Sequence, residues 1–376
     1  MNCLFWIILA ILSSGASSLF EDDEKELIFL QLVFRNGFSA PQQLYPTDPN
    51  NPNRWEEGLG ELTLEGRKQM FALGKELRKR YDHFITGNPR EITVQAAVHP
   101  KNKRSGLSLL ASLYAPTEFW EFIPGLPWQP VPIFYIGAKQ DKVLSPLRTC
   151  PGVVSRMEEL VDLYGTGTVL DMYKQQLKFW SLNSGIPIQN WNDVVSLYRI
   201  LYAEKAYNYT IPSWARKYWT EMECLNDYAY KVNFNDPKIL KVVGGPILWH
   251  LVNSANDKVK GDFEHTKVMA YSGQSSHVAG LLGALKCFNN KEPPFGSIVI
   301  MELFKHKKND QHSIRLLFTN GTTDLQVLRY SGCQEFCPLH YLSNKTKHWE
   351  NPKWGRDCFG ESPLDQLREL LAGIQI

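Results

Sequence analysis

Arg35 is the first residue whose type and place suggest chemistry. It opens the segment FRNGFSAP, residues 34 to 41, directly after the apolar run LIFLQLVF. A guanidinium at the end of a buried strand is suited to holding a carboxylate or a phosphate. Its neighbour Asn36 is an amide whose nitrogen lone pair is delocalised, so it is neither a strong nucleophile nor a base. Gly37 is read as the bend of this loop and Pro41 as its close. A second junction, SGQSS at 272 to 276, leads from the apolar segment TKVMAYSG into a helical pattern. Free amides at a helix start attract anions; the plainer reading makes Ser275 an N-cap that accepts an amide hydrogen bond. A third candidate strand end is Gln95 to Ala97. His277, two positions past Ser275, is the nearest histidine and falls in the first turn of the helix. His99, Lys101 and Lys103 follow the Gln95 strand and read as exposed loop residues, with Arg104 a further cation nearby.

These residues need elements to position them. The apolar stretch over 26 to 34 predicts a strand buried on both faces. A loop rich in Pro and Asn follows, and then ELTLEGRKQMFALGKELRKRY predicts a helix capped by Thr63. Met70, Leu73, Leu77 and Tyr81 recur at helical spacing toward the core. Arg78, Lys79 and Arg80 fall at the helix end, where the dipole favours cations, and read as a solvated terminus. EITVQAAV, 91 to 98, predicts a second strand, and 104 to 114 a helix. Residues 118 to 136, rich in Trp, Pro and Phe, read as a loop packed against the body. The pattern from about 145 to 245 is helical throughout. After the strand 266 to 273, Val278, Leu281, Leu282 and Leu285 share one helix face. GSIVIMELF and HSIRLLFTN, parted by KHKKND, predict a hairpin. Strands alternating with helices imply an α/β sheet with a helical insertion, and ligands bind such sheets where strands end and helices begin.

The 376 residues allow one large domain or two moderate ones. With 41 Lys and Arg against 39 Asp and Glu, the charge balance gives no support to nucleic-acid binding. The N-terminal block from Cys3 to Leu12, with small residues allowing cleavage after Ser18, reads as a secretory signal; it is too short to span a bilayer. The C-terminal LRELLAGIQI reads as an amphipathic end, so no membrane anchor is expected. Six cysteines remain beyond the signal, an even number that suggests disulfides. CQEFC is close for a bridge, and a zinc site lacks a second CxxC or paired histidines. Sequons at Asn208, Asn320 and Asn344 fit the secretory route.

The chain resembles the histidine acid phosphatases from about residue 26 to residue 358. LVFRNGFSAP is similar to the family motif LVFRHGxRxP, and ELTLEGRKQMFALGKELRKRY to its first helix. WQPVPIF, YNYTIPSW, GGPIL, MAYSGQSSHVAGLLGAL and GCQEFCPL resemble further family segments in family order. The resemblance implies an α/β core sheet flanked by helices with a smaller helical cap, and cleavage of phosphate monoesters through a phosphohistidine. It also shows where this chain departs. The attacking histidine falls on Asn36, the second motif arginine on Ser39, and the third on Gln95. The histidine–aspartate pair that binds phosphate and protonates the leaving alcohol falls on Gln274 and Ser275. Of these positions Arg35 alone matches. The resemblance further implies bridges Cys150–Cys358 and Cys333–Cys337, while Cys224–Cys287 would be a bridge special to this chain.

The expectation is therefore a secreted, histidine-acid-phosphatase-like protein without catalysis, acting by binding an unknown ligand or protein partner, as a monomer or a homodimer. The alternative is a weakly active acid phosphatase using His277 as substitute. The cleft is expected to be far less cationic than in an active relative. Residues 1–18 would be the signal, 19–144 and 246–376 the core, and 145–245 the cap. No cofactor, metal or nucleic acid is expected.

Overall fold

The computed structural model describes residues 24–321, 324–350 and 354–360. The expected signal segment, its cleavage site and the C-terminal LRELLAGIQI lie outside the described residues. Among the described residues, eight strands form one sheet: β1 (Lys25–Arg35), β2 (Ile92–Ala96), β3 (Ile133–Phe134), β4 (Val268–Gly273), β5 (Ile298–His306), β6 (His312–Thr319), β7 (Gln326–Leu328) and β8 (Phe336–Pro338). Their order is β3-β2-β4-β1-β5-β6-β7, with β8 also paired to β6. β1 lies inside the sheet because its residues from Phe29 onward are buried on both faces. It runs parallel to β4, which runs parallel to β2, and antiparallel to β5. β5 and β6 form the expected hairpin.

Two helices cover one face, α1 (Leu64–Arg80) and α2 (Pro100–Leu113). Thr63 caps α1, its Oγ1 accepting from the Gly66 amide at 3.1 Å. Met70, Leu77 and Tyr81 meet Leu30, Leu32 and Phe34 of β1 in the core, with Leu109 and Leu113 of α2. α2 starts four residues earlier than the apolar pattern suggests, because Pro100 at its first turn needs no amide partner and is preset for helix.

Among the described residues, the further helices that build the other face and the insertion include α3 (Pro151–Tyr164), α4 (Lys174–Ser184), α5 (Trp191–Ala206), α6 (Trp219–Asn233), α7 (Pro237–Val243), α8 (Gly245–Lys260) and α9 (Ser275–Ala284). α8 and α9 cover the other face of the sheet, where Leu248, Leu251, Val278 and Leu281 pack on Phe29, Val33 and Met301. α4, α5 and α6 share a separate core around Trp180, Leu197, Leu201 and Met222, to which the 42–60 loop contributes Tyr45. α3 and α7 pack with Ala279 of α9 instead.

Two expectations need correction. The segment 118–136 does not bury its aromatics: Phe119, Phe122, Trp128, Phe134 and Tyr135 are exposed. It runs into β3, the edge strand of the sheet on that side. Cys224 and Cys287 are not bridged. Cys224 is exposed on α6, whereas Cys287 is half-buried beyond α9, near the Leu285 and Arg329 carbonyls. Cys150–Cys358 and Cys333–Cys337 are joined.

Candidate functional site

β1 and β4 end side by side, with Arg35 in register opposite Gly273. The loop leaving β1 is held mainly through its backbone. The Asn36 amide donates to the Gly273 carbonyl at 3.0 Å, the Gly37 amide to Ser105 Oγ at 3.1 Å, and the Phe38 amide to Gln69 Oε1 at 3.0 Å. The Phe38 carbonyl accepts from Thr63 Oγ1 at 3.0 Å. Gly37 is not required for a positive φ. It permits contact instead: a Cβ there would lie 2.5 Å from the Gly66 carbonyl, and a Cβ on Gly66 would lie 2.0 Å from that of Phe38.

Above this loop opens a cavity of about 880 Å³ between the strand ends and helices α5 and α6. Arg35, Asn36, Ser39, Gln274 and Ser275 line it, as the strand-end reading predicts. Asn36 is buried and its Nδ2 donates to the Gly37 carbonyl at 2.8 Å. Ser275 shares a 2.6 Å hydrogen bond with Tyr230 Oη.

Gln95 and His277 are not brought to this cavity. The Gln95 amide turns to Asp141 Oδ2 at 3.5 Å. His277 is buried, and its Nδ1 accepts from the Gln274 amide at 2.8 Å. Burial drives its pKa down to about 4, so the ring is neutral. The N-cap of α9 is thus Gln274, in extended backbone, and not Ser275. His99, Lys101 and Lys103 are not loop residues either. His99 stands at the N-cap position of α2, without a side-chain cap hydrogen bond, and both lysines lie on its first turn, with Arg104 next. Lys101 lines the cavity, the Lys103 ammonium sits 3.5 Å from the Tyr135 ring centroid, and Arg104 pairs with Glu61 at 2.5 Å.

The charged part of the cavity was not legible residue by residue. Arg35 Nη1 pairs with Glu292 Oε1 at 3.2 Å and donates to the Pro293 carbonyl, and the guanidinium stacks 3.9 Å from the Phe295 ring centroid. Arg199, from α5, reaches the same Glu292 oxygen at 3.4 Å and donates to Tyr230 Oη at 2.5 Å. Tyr230, from α6, donates to Glu292 Oε1 at 3.0 Å. Burial works to raise the Glu292 pKa, but Arg199 and Arg35, with hydrogen bonds from Tyr230 and Asn226, hold it below the usual carboxylate range. Burial raises the Tyr230 phenol to about 12. Burial first, then Arg35 and Arg199, lower the Lys101 ammonium to about 8. The cavity is thus mixed in charge: Arg35, Lys101, Arg199 and Lys291 line it together with Asp193, Glu223, Asp227 and Glu292. Arg199 had one signal, a lone charge in the apolar run SLYRILY; Glu292, in NKEPPF, had none. Among the described residues no group of three His, Cys, Asp or Glu side chains is placed to hold a metal ion.

Residues 13–319 match the family model of the histidine phosphatase superfamily, branch 2. The lysosomal acid phosphatase of Xenopus laevis is 30% identical over 365 residues, covering 94% of this chain and 83% of that protein. The prostatic acid phosphatase of Mus musculus is 28% identical over 350 residues, covering 90% of each. Among solved structures, Hafnia alvei phytase in complex with tartrate superposes with a TM-score of 0.68, covering 88% of this chain and 98% of that one at 16% identity. The Bifidobacterium longum multiple inositol polyphosphate phosphatase in complex with phosphate gives 0.58 over 89% of this chain and 94% of that one, at 10% identity. At these identities the structural likeness is one of fold.

Proposed function

This chain belongs to the histidine phosphatase superfamily, branch 2, and from that membership we propose that it is an exported member that keeps the fold, has lost phosphate-ester hydrolysis and acts by binding. One observation carries the reading: among the described residues, no histidine lines the cavity around Arg35. Asn36 stands where a nucleophile would attack, and its amide is tied to the next carbonyl. Ser275 stands where an acid would protonate the leaving alcohol, and a hydroxyl is far too weak an acid for that. Loss of a nucleophile alone costs on the order of 10⁴- to 10⁶-fold in turnover. Rescue by His277 would require the ring to leave a buried position and give up its hydrogen bond to the start of α9.

Export is supported by the apolar N-terminal block and by two disulfides, which persist in oxidising compartments. Asn208, Asn320 and Asn344 are exposed, as glycan acceptors need to be. Among the described residues no helix is long and apolar enough to cross a membrane. The binding partner in this reading is a ligand of the cavity or a protein docked over it.

The test is an assay of purified protein with an aryl phosphate from about pH 4 to about pH 7, a range that spans the ordinary pKa values of carboxylates and imidazole. No turnover above the Arg35→Ala variant is expected. Turnover that survives purification and vanishes in Arg35→Ala or His277→Ala overturns the reading.

A further inference from the structure

The proposed loss of catalysis leaves one cluster unexplained: Glu292, Arg199, Tyr230 and Lys101 beside Arg35. Two guanidiniums from different parts of the fold, the end of β1 and the middle of α5, converge on a single carboxylate oxygen, at 3.2 and 3.4 Å. A phenol donates to that same oxygen at 3.0 Å. Among the described residues neither arginine pairs with another carboxylate, and Lys101, half-buried in the same cavity, pairs with none. Glu292 is itself fixed, its backbone amide donating to Asp227 Oδ1 at 3.3 Å and its side chain 11% exposed.

We propose that Glu292 is a built-in anion: its carboxylate takes the place that an oxyanion would occupy between Arg35 and Arg199, and so sets the ligand class of the cleft by shutting out phosphate-like ions. The chemistry is general. Guanidiniums and a phenol gathered around one point bind phosphate or sulfate through charge-assisted hydrogen bonds. A carboxylate tethered in the same chain competes at a high effective concentration, so a free ion must displace it. Without that carboxylate, the Arg35 guanidinium, its side chain 9% exposed, would be buried beside the half-exposed Arg199 with no paired carboxylate, an arrangement that an ion from solution would relieve. The inference concerns the same cleft as the proposed function and rests on it for the view that ligands enter there. The two fail separately: turnover of an aryl phosphate by the unaltered protein sinks that reading, whereas the outcomes below concern Glu292 alone.

The test compares the unaltered protein with Glu292→Gln and with the double variant Glu292→Gln, Arg199→Gln. Inorganic phosphate and sulfate are the probes, titrated calorimetrically and by thermal shift. Glu292→Gln is expected to bind phosphate roughly tenfold or more tighter than the unaltered protein, the equivalent of one charge-assisted contact. The double variant is expected to lose that gain. Should Glu292→Gln not fold in plain buffer, folding recovered by millimolar phosphate or sulfate supports the proposal just as well. Equal affinity in the unaltered protein and Glu292→Gln overturns it. So does a Glu292→Gln protein that stays unfolded in both ions, because Glu292 would then be only a strut between α5 and the sheet.

Discussion

Glu204, on α5, offers a measurable link between pH and stability. It is fully buried and accepts from Asn50 Nδ2 at 2.7 Å. Glu204 Oε2 and Asp48 Oδ2 are both buried without another partner, and a proton held between the two carboxyls satisfies both. Burial first, then Asp48, push the Glu204 pKa up to about 8, against the pull of Asn50 and Arg54; the Tyr45 phenol also faces the pair. The folded state therefore holds a proton that the unfolded chain releases near its ordinary carboxylate pKa. Between about pH 4.5 and 8 folding binds more protons than unfolding does, so stability falls as pH rises through that window. At about 1.4 kcal/mol per pH unit the ceiling is roughly 5 kcal/mol. Because the proton belongs to a coupled pair, about half of that is the reasonable expectation. For a chain of this size 2–3 kcal/mol corresponds to roughly 3–4 °C in Tm. The Glu204→Gln variant cannot ionise, yet its amide still donates to Asp48. Thermal unfolding of both proteins from about pH 5 to about pH 8 is the assay. Tm of the unaltered protein should drop relative to the variant as pH rises, with the two nearest at the acid end. Parallel profiles, or a variant that loses ground at alkaline pH, would refute the reasoning.

Three further outcomes follow from the same structure. Lys101, with its ammonium lowered to about 8, should react with trinitrobenzenesulfonate near about pH 8 ahead of the other lysines; uniform labelling in a peptide map contradicts the cavity placement. Gly66→Ala should destabilise by about 1–3 kcal/mol in urea, since its Cβ would meet the Phe38 carbonyl at 2.0 Å. An effect below about 0.5 kcal/mol would mean the loop does not rest on α1. A maleimide should label Cys224 in the folded protein and reach Cys287 more slowly; non-reducing peptide mapping that finds the two joined would contradict their separation.

The elements that frame the cleft were legible because their signals are local. β1 reads from an unbroken apolar run and α1 from a threonine cap and a helical repeat of Met70, Leu77 and Tyr81. β3, β7 and β8 were not, because two or three residues carry no period. The strand-end set Arg35, Asn36, Ser39, Gln274 and Ser275 was legible since each residue sits at a junction of elements. That the Gln95 side chain turns away from the cavity is not legible locally, because Asp141, its partner, lies 46 positions on. Arg199 and Glu292 meet across 93 residues of sequence, and no local pattern encodes a charge pair at that separation. Lys101 was misplaced for a simpler reason: the proline before it starts the helix early and sets the ammonium in the cavity.

The way the 35–41 loop is fastened has a consequence of its own. Its anchors are main-chain amides and carbonyls, two glycines pressed together, and Thr63, Gln69 and Ser105 from neighbouring helices. Few of the side chains that face the cavity hold the loop in position. Residues there are consequently free to be exchanged without the ground beneath them shifting, so a lineage is able to retire one chemistry and try another on an unchanged floor.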